Sequence, residues 1–395
     1  MEAAERVALA ERAALGAARA DPLVPAVIVG RAPSVTPSSE RARRTRSLSL
    51  AGSRSHGSAF ALAVALLWAG LVVGCGADAP VVKIPPPPGP YDRPTYSLLS
   101  ETGLFSEPVT LKVNANAVAF EPTYRLWSDA ATKRRWFQVP AGAVIDTSDM
   151  DHWIFPVGTK LWKEFSRDGV VLETRLIERF GVGPDDYWMG AFVWNADHTD
   201  AVLAPDGEQN IGGTTHDAPS QETCGACHRG DVGRVLGLSA LQMSRPAEGT
   251  RIGPTFDDLA KRGLLSDGPP AGSPAFAIPG DAKTSAALGY LHANCGHCHN
   301  ENGTSWPDTQ MVLRFRTDER DVAASEVYQS IVGGGLQYWR GGAIKERVSP
   351  GDPSASAIVA RMSARGNDDQ MPPIATEEID PDGVASVANW ILSLQ

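Results

Sequence analysis

Residues 289–299 read GYLHANCGHCH, and their last five residues form a Cys-x-x-Cys-His motif at 295–299. The same motif occurs once more, as CGACH at 224–228. The chain has 395 residues but only 5 cysteines, so the two motifs contain every cysteine except Cys75. Paired thiols followed at once by an imidazole are the most specific chemical feature of this sequence.

Two cysteines at this spacing suit covalent heme attachment, because both thiols can add to the vinyl groups of one porphyrin. The adjoining histidine can then bind the iron. The alternative interpretations are a disulfide in each motif, or one zinc site built from four cysteines; both leave the histidines unexplained. The predicted thioether positions are Cys224, Cys227, Cys295 and Cys298, and the predicted iron ligands beside them are His228 and His299.

An export signal precedes the body of the protein. Residues 55–77 contain no Asp, Glu, Lys or Arg and follow an arginine-rich stretch at 41–54. A basic flank, an apolar run and small residues are the layout of a secretory signal, and the run is short for a membrane span. Its end, VVGC at 72–75, resembles the lipobox of bacterial lipoproteins. The resemblance implies lipidation of Cys75, and Gly76 after it favours the outer membrane; the alternative is an ordinary signal peptide with an incidental cysteine.

Composition changes along the chain predict five segments. The first is a leader with a lipoprotein signal peptide, and the second is a proline-rich linker, expected to be a stiff polyproline spacer. A tryptophan-rich β domain, a loop-rich segment with the first motif and a helical segment with the second motif follow. In that order the predicted ranges are 1–75, 76–95, 96–210, 211–280 and 281–395.

The third segment predicts antiparallel β structure. Its stretch at 170–177 alternates in part between apolar and polar residues, and turn signals such as RDG at 167–169 recur about every ten residues. This pattern favours a sandwich or barrel. Its tryptophans either fill a core or, in a less favoured interpretation, stack on sugars. They are Trp127, Trp136, Trp153, Trp162, Trp188 and Trp194.

Helical signals dominate the last part of the chain. Residues 281–295 predict a helix leading into the second motif, and apolar residues at helical spacing predict a terminal helix over 384–394. A shorter helix is expected at 257–264, capped by Thr255. The first motif differs, because residues 214–220 before it indicate a loop.

The second motif and its surroundings resemble a class I cytochrome c domain. Gly289 before the motif, MPP at 371–373 after it and Trp390 in the last helix carry this resemblance. It implies an all-α fold whose first and last helices cross near Gly289 and Trp390. It also implies His299 as the proximal and Met371 as the distal iron ligand. Opposite His228 the distal ligand stays open between Met243 and His216.

The exported body as a whole resembles bacterial diheme c-type cytochrome lipoproteins with a tryptophan-rich β domain, on the stretches 126–129, 155–159, 173–176 and 350–354. The expected fold is therefore multidomain, an N-terminal all-β sandwich or barrel followed by a C-terminal all-α cytochrome c domain. No catalytic residue is predicted; an iron with two protein ligands, as the resemblance implies, suits electron transfer, so an electron carrier with redox partner proteins is expected. A diheme peroxidase-like enzyme and a polysaccharide-binding surface protein with auxiliary heme are the alternatives. A formal net charge of −10 argues against a nucleic-acid partner.

Overall fold

The computed structural model describes residues 92–244, 252–268, 276–338 and 342–395. These residues belong to one compact unit. Cys75, the predicted signal and nearly all of the predicted linker lie outside them, so export, lipidation and the spacer stay predictions. Within the described ranges no helix is both long enough and apolar enough to cross a membrane.

A six-stranded antiparallel sheet, β3 to β8, forms the first half of the body, and each strand pairs with the next one along the chain. The β5–β6 hairpin closes through Asp168 and Gly169, whose φ angles of 51° and 81° are the left-handed pair of a tight two-residue turn. A separate pair, β1 and β2, precedes the sheet. The strands are Phe105–Glu107, Lys112–Val113, Val118–Ala119, Thr132–Gln138, Lys160–Arg167, Val170–Arg179, Tyr187–Trp194 and Ala201–Leu203.

The predicted sandwich or barrel is wrong, because the six-stranded sheet is open and mainly irregular segments, not a second large sheet, cover its faces. On one face Trp136 and Trp162 pack with the preceding segment around Leu99. On the other face Phe137 and Leu161 pack with the segment that follows the first motif. Irregular chain thus supplies the layers that a second sheet would supply in a sandwich.

Most of the tryptophans are core residues. Trp136, Trp153, Trp162 and Trp188 are buried, and Trp162 Nε1 donates a hydrogen bond to the Thr102 hydroxyl at 3.0 Å. Buried rings offer no face to a sugar, so these four do not form a carbohydrate platform.

The predicted C-terminal all-α domain over 281–395 is also wrong. The described residues contain eight short α-helices, and the longest has 13 residues. The helices α1 to α8 are Gln221–His228, Ala240–Ser244, Phe256–Lys261, Ala282–Asn294, Trp306–Thr309, Glu326–Ile331, Ala357–Met362 and Pro381–Ile391. Between α4 and α8 the described residues form mainly turns and isolated bridges, such as Val332 with Val348, and α5 ends at Thr309, directly before Gln310, which has a φ of 45°.

Individual helices nevertheless begin where their capping residues predict. The Thr255 and Asp281 side chains accept hydrogen bonds from the first turns of α3 and α4. Helices α4 and α8 meet at Gly383, where a Cβ atom would lie 2.3 Å from the Tyr290 ring. The nearest neighbour of Gly289 is the Tyr124 ring, at 2.0 Å from such a Cβ. The Gly383 backbone of α8 therefore packs directly against the ring of Tyr290, the residue that follows Gly289 on α4.

His292 on α4 makes the stability depend on pH. Its Nδ1 accepts a hydrogen bond from the Phe315 N–H at 3.2 Å, and burial lowers its pKa from 6.5 to about 3. The unfolded chain therefore takes up this proton first, so the contribution is complete above pH 6.5 and is lost as the pH falls towards 3. We expect the free energy of unfolding to drop by about 1–2 kcal/mol from pH 7 to pH 5 on account of this half-buried group.

Urea unfolding at both pH values measures this effect. The His292→Gln variant keeps an acceptor but cannot titrate, so its drop should be smaller than the wild-type drop by that amount. Equal drops in the two proteins would contradict the assignment.

Candidate functional site

Both Cys-x-x-Cys-His motifs line one cavity of about 410 Å³. Strands β4 to β7 form one wall of it, and the loop at 371–376 forms another. Its volume lies in the range of roughly 300–1,000 Å³ that is usual for cofactor and ligand sites. The fold therefore brings together two motifs that are about 70 residues apart in the chain.

The first motif lies on a helix, although the residues before it indicate a loop. Helix α1 begins directly after Ser220, whose hydroxyl accepts a hydrogen bond from the Thr223 N–H at 3.1 Å. Serine at this position is a strong helix start signal. Ser220 belongs to the stretch that indicates a loop, so the start of a short helix directly after it was not predicted.

The imidazole of His228 is held in one tautomer. Its Nδ1 lies 2.7 Å from the carbonyl oxygen of Arg234. A carbonyl can only accept, so Nδ1 carries the proton and Nε2 keeps its lone pair. No other hydrogen bond reaches this ring within the described ranges, and burial lowers its pKa to about 4. The ring is thus neutral and has one nitrogen available as a ligand.

His299 reaches the same state by a different contact. The Ser305 hydroxyl donates to the Cys298 carbonyl at 2.6 Å and lies 3.0 Å from His299 Nδ1. Since its hydrogen is already used, the hydroxyl oxygen accepts from Nδ1, and Nε2 again keeps its lone pair. Burial lowers the pKa of His299 to about 4. Metal-ligating histidines are commonly oriented by such a hydrogen bond on the other ring nitrogen.

The thiols are free but are not equivalent. Cys224, Cys227 and Cys298 line the cavity, whereas Cys295 packs against the C-terminal core. Burial raises the pKa of Cys295 to about 12. Three of the four predicted attachment positions therefore border the cavity, and the fourth lies behind it.

Met371 also lines the cavity, in the loop that was expected to hold it. Its backbone N–H donates to the Arg361 carbonyl at 3.0 Å. The Gln370 amide donates to the carbonyls of Pro372 and Thr376, at 3.1 and 2.8 Å. These bonds fix the loop on both sides of the thioether. The predicted ligands His228, His299 and Met371 thus share one cavity.

The two distal candidates for His228 lie elsewhere. Met243 is fully buried on α2 in the core beside the sheet. His216 is buried as well, and its Nε2 lies 2.7 Å from the Glu173 carboxylate. Neither residue is among those that line the cavity. The group opposite His228 is the point at which an electron carrier and a peroxidase-like enzyme would differ.

No sequence pattern assigns a role to His297, but the structure places it in a cluster. The ligating atoms of Cys227, His297 and Cys298 all lie within 4.8 Å of one another, and His297 Nδ1 is buried with no hydrogen-bond partner among the residues that the structure describes. The Cys227 thiol donates to Cys298, which lowers the pKa of Cys298 and raises that of Cys227. Only the spatial meeting of the two motifs creates this cluster.

No protein family, curated protein or solved structure matches the chain.

Proposed function

We propose that the protein is an exported, lipid-anchored c-type cytochrome that carries two covalently attached hemes and transfers electrons. One observation carries this proposal: the histidines of both motifs line the same cavity as neutral rings. In each ring Nδ1 donates to an oxygen, and Nε2 has a free lone pair. This donor set fits heme iron.

The residues divide into attachment and ligation. Bound heme supplies a one-electron couple. His299 and Met371 would be the axial ligands of one heme, and His228 would be a ligand of the other. A thioether ligand favours the reduced iron and raises its potential. Thioether bonds would form at Cys224, Cys227, Cys295 and Cys298.

The remaining parts of the proposal concern location and partners. Lipid on Cys75 would hold the protein at the membrane, on the basis of the lipobox resemblance alone. The acidic net charge of −10 would steer the protein towards basic patches on redox partners, an effect that weakens with salt.

The test begins with protein produced together with a heme maturation apparatus. We expect a reducible low-spin heme spectrum, and colourless protein would end the proposal. In the Met371→Leu variant we expect the low-spin signal of one heme to be lost. We also expect the midpoint potential of that heme to fall by a few tenths of the range of roughly 0.8 V over which axial ligands set heme potentials.

Met243→Leu is the matched control, since this methionine is buried in the core away from the cavity lining. Met243→Leu should leave the low-spin signals of both hemes unchanged. If Met371→Leu also left them unchanged, Met371 would not be a ligand.

A second candidate function is a zinc site, favoured by the cluster of Cys227, His297 and Cys298. Thiolate and imidazole are the ligands that zinc prefers, but a closed structural site needs a fourth one. Metal analysis of protein made without heme maturation tests it. Two results together would favour zinc over heme. The wild type would contain stoichiometric zinc that is lost in His297→Ala, and it would take up no heme when the maturation apparatus is supplied.

A further inference from the structure

Three cations form a row across the sheet wall of the cavity. Arg135 on β4 is directly opposite Lys163 on β5, which is directly opposite Arg175 on β6. Residues opposite each other in a sheet point to the same face, and all three line the cavity. Like charges in this arrangement destabilise a sheet unless anions compensate them.

Among the described residues only Arg175 has an ion pair, although Glu121 acts electrostatically on Arg135 and Glu173 on Lys163 from farther away. Arg175 Nη2 lies 2.5 Å from the Glu173 carboxylate. Arg135 is only 7% exposed, yet its side chain makes no hydrogen bond or ion pair within the part of the chain that the structure describes. Lys163 likewise has none there; its ammonium lies 5.1 Å from the centre of the Phe165 ring.

The described lining of the cavity offers no carboxylate as a counter-charge. None of its described lining residues is Asp or Glu. Burial and the neighbouring cations lower the pKa of Lys163 well below its ordinary value. Uncompensated buried charge is costly, so the row indicates an anionic ligand in the cavity.

We propose that Arg135 and Lys163 bind carboxylate groups inside the cavity, and that these are the propionates of a heme. The assignment to propionates rests on the proposed function. A guanidinium can bind a carboxylate through two parallel hydrogen bonds, and an ammonium adds a point charge beside it. A free polycarboxylate has the same chemistry and is the other source to be distinguished.

The sheet also supplies a matched control. Arg134 is adjacent to Arg135 but points to the opposite face, where it pairs with Glu164 at 2.6 Å. Its side chain is 63% exposed. Arg134→Met therefore removes the same charge from the same strand without touching the cavity.

The experiment compares heme-loaded wild type, Lys163→Met, Arg135→Met and Arg134→Met, all with ¹³C-labelled propionate carboxylates. Redox difference infrared spectra report those carboxylates directly. We expect their bands to shift in Lys163→Met and Arg135→Met and to stay in place in Arg134→Met. The midpoint potential should fall in the first two variants, because the reduced heme loses a nearby positive charge.

A second arm titrates citrate into wild type and Lys163→Met by calorimetry. Citrate binding that weakens about ten-fold or more in the variant, with unshifted propionate bands, would support carboxylate binding and overturn the assignment to heme. Unshifted bands and no citrate binding would overturn the inference altogether. If the wild type acquired no heme, the proposed function would be wrong, and the citrate titration alone would test whether Arg135 and Lys163 bind carboxylates. Lys163→Arg keeps the charge and should restore the wild-type bands if Lys163→Met folds poorly.

Discussion

Protein in which Cys295 and Cys298 are both replaced by alanine is expected to carry one heme fewer than the wild type. The Cys224→Ala, Cys227→Ala double variant should lose one as well. Each porphyrin needs thiols to form its thioether bonds, and within the described ranges all four cysteines are free for this reaction. Intact mass spectrometry under denaturing conditions counts the attached groups, and the reduced absorbance spectrum checks the count.

The control for both variants is Cys75→Ala. This cysteine belongs to neither motif, so its removal should leave the heme mass unchanged and abolish only the lipid mass. A heme count that stays the same in either double variant would show that the corresponding motif is not an attachment site.

Trp162→Ala is expected to lower the free energy of unfolding by about 3–5 kcal/mol. The ring is 1% exposed in the core on one face of the sheet. Its removal opens a cavity there and leaves the Thr102 hydroxyl without the indole donor, which now lies at 3.0 Å. Urea unfolding monitored by far-UV circular dichroism measures the loss.

Trp194→Ala is the comparison, because Trp194 is only half-buried at the end of β7. Its cost should be clearly smaller. If the two variants lost equal stability, the tryptophans would not be acting as core residues in the way their burial indicates.

Local features of the fold were predictable because each depends on a few adjacent residues. Thr255 predicts the start of α3, and Arg167-Asp168-Gly169 predicts a turn, which closes the β5–β6 hairpin; both predictions are confirmed. Capping and tight turns are decided within about four residues. Met371 was singled out differently, by the resemblance of its MPP loop to that of a class I cytochrome c domain, and its role as a ligand stays a prediction.

The covering of the sheet was not predictable in this way. Alternation shows that a strand has two faces, but it does not show which distant segment packs on each. The expected sandwich failed for this reason, since the stretch around Leu99 and the segment after the first motif cover the faces. The prediction of an all-α domain was wrong because its strongest helical signals lie at the two ends of the segment, and the chain between them is largely irregular.

The row of cations could not be predicted from the sequence, because it depends on the register in which three strands pair. In the sequence, Lys163 has other charged residues close to it, and such a pattern is typical of a strand that faces solvent. Its alignment with Arg135 and Arg175 exists only once three strands have paired. Equally, His297 gained neighbours only when the two motifs met.

The walls of the cavity come from positions as distant in the chain as Phe120 and Thr376. Contacts of such sequence separation form slowly, because closing a long loop costs entropy before any packing rewards it. If hemes are attached covalently, the maturation enzymes must reach the thiols before the loop at Met371 packs over them. The slow formation of this cavity would then set the period during which a newly synthesised chain can receive its hemes.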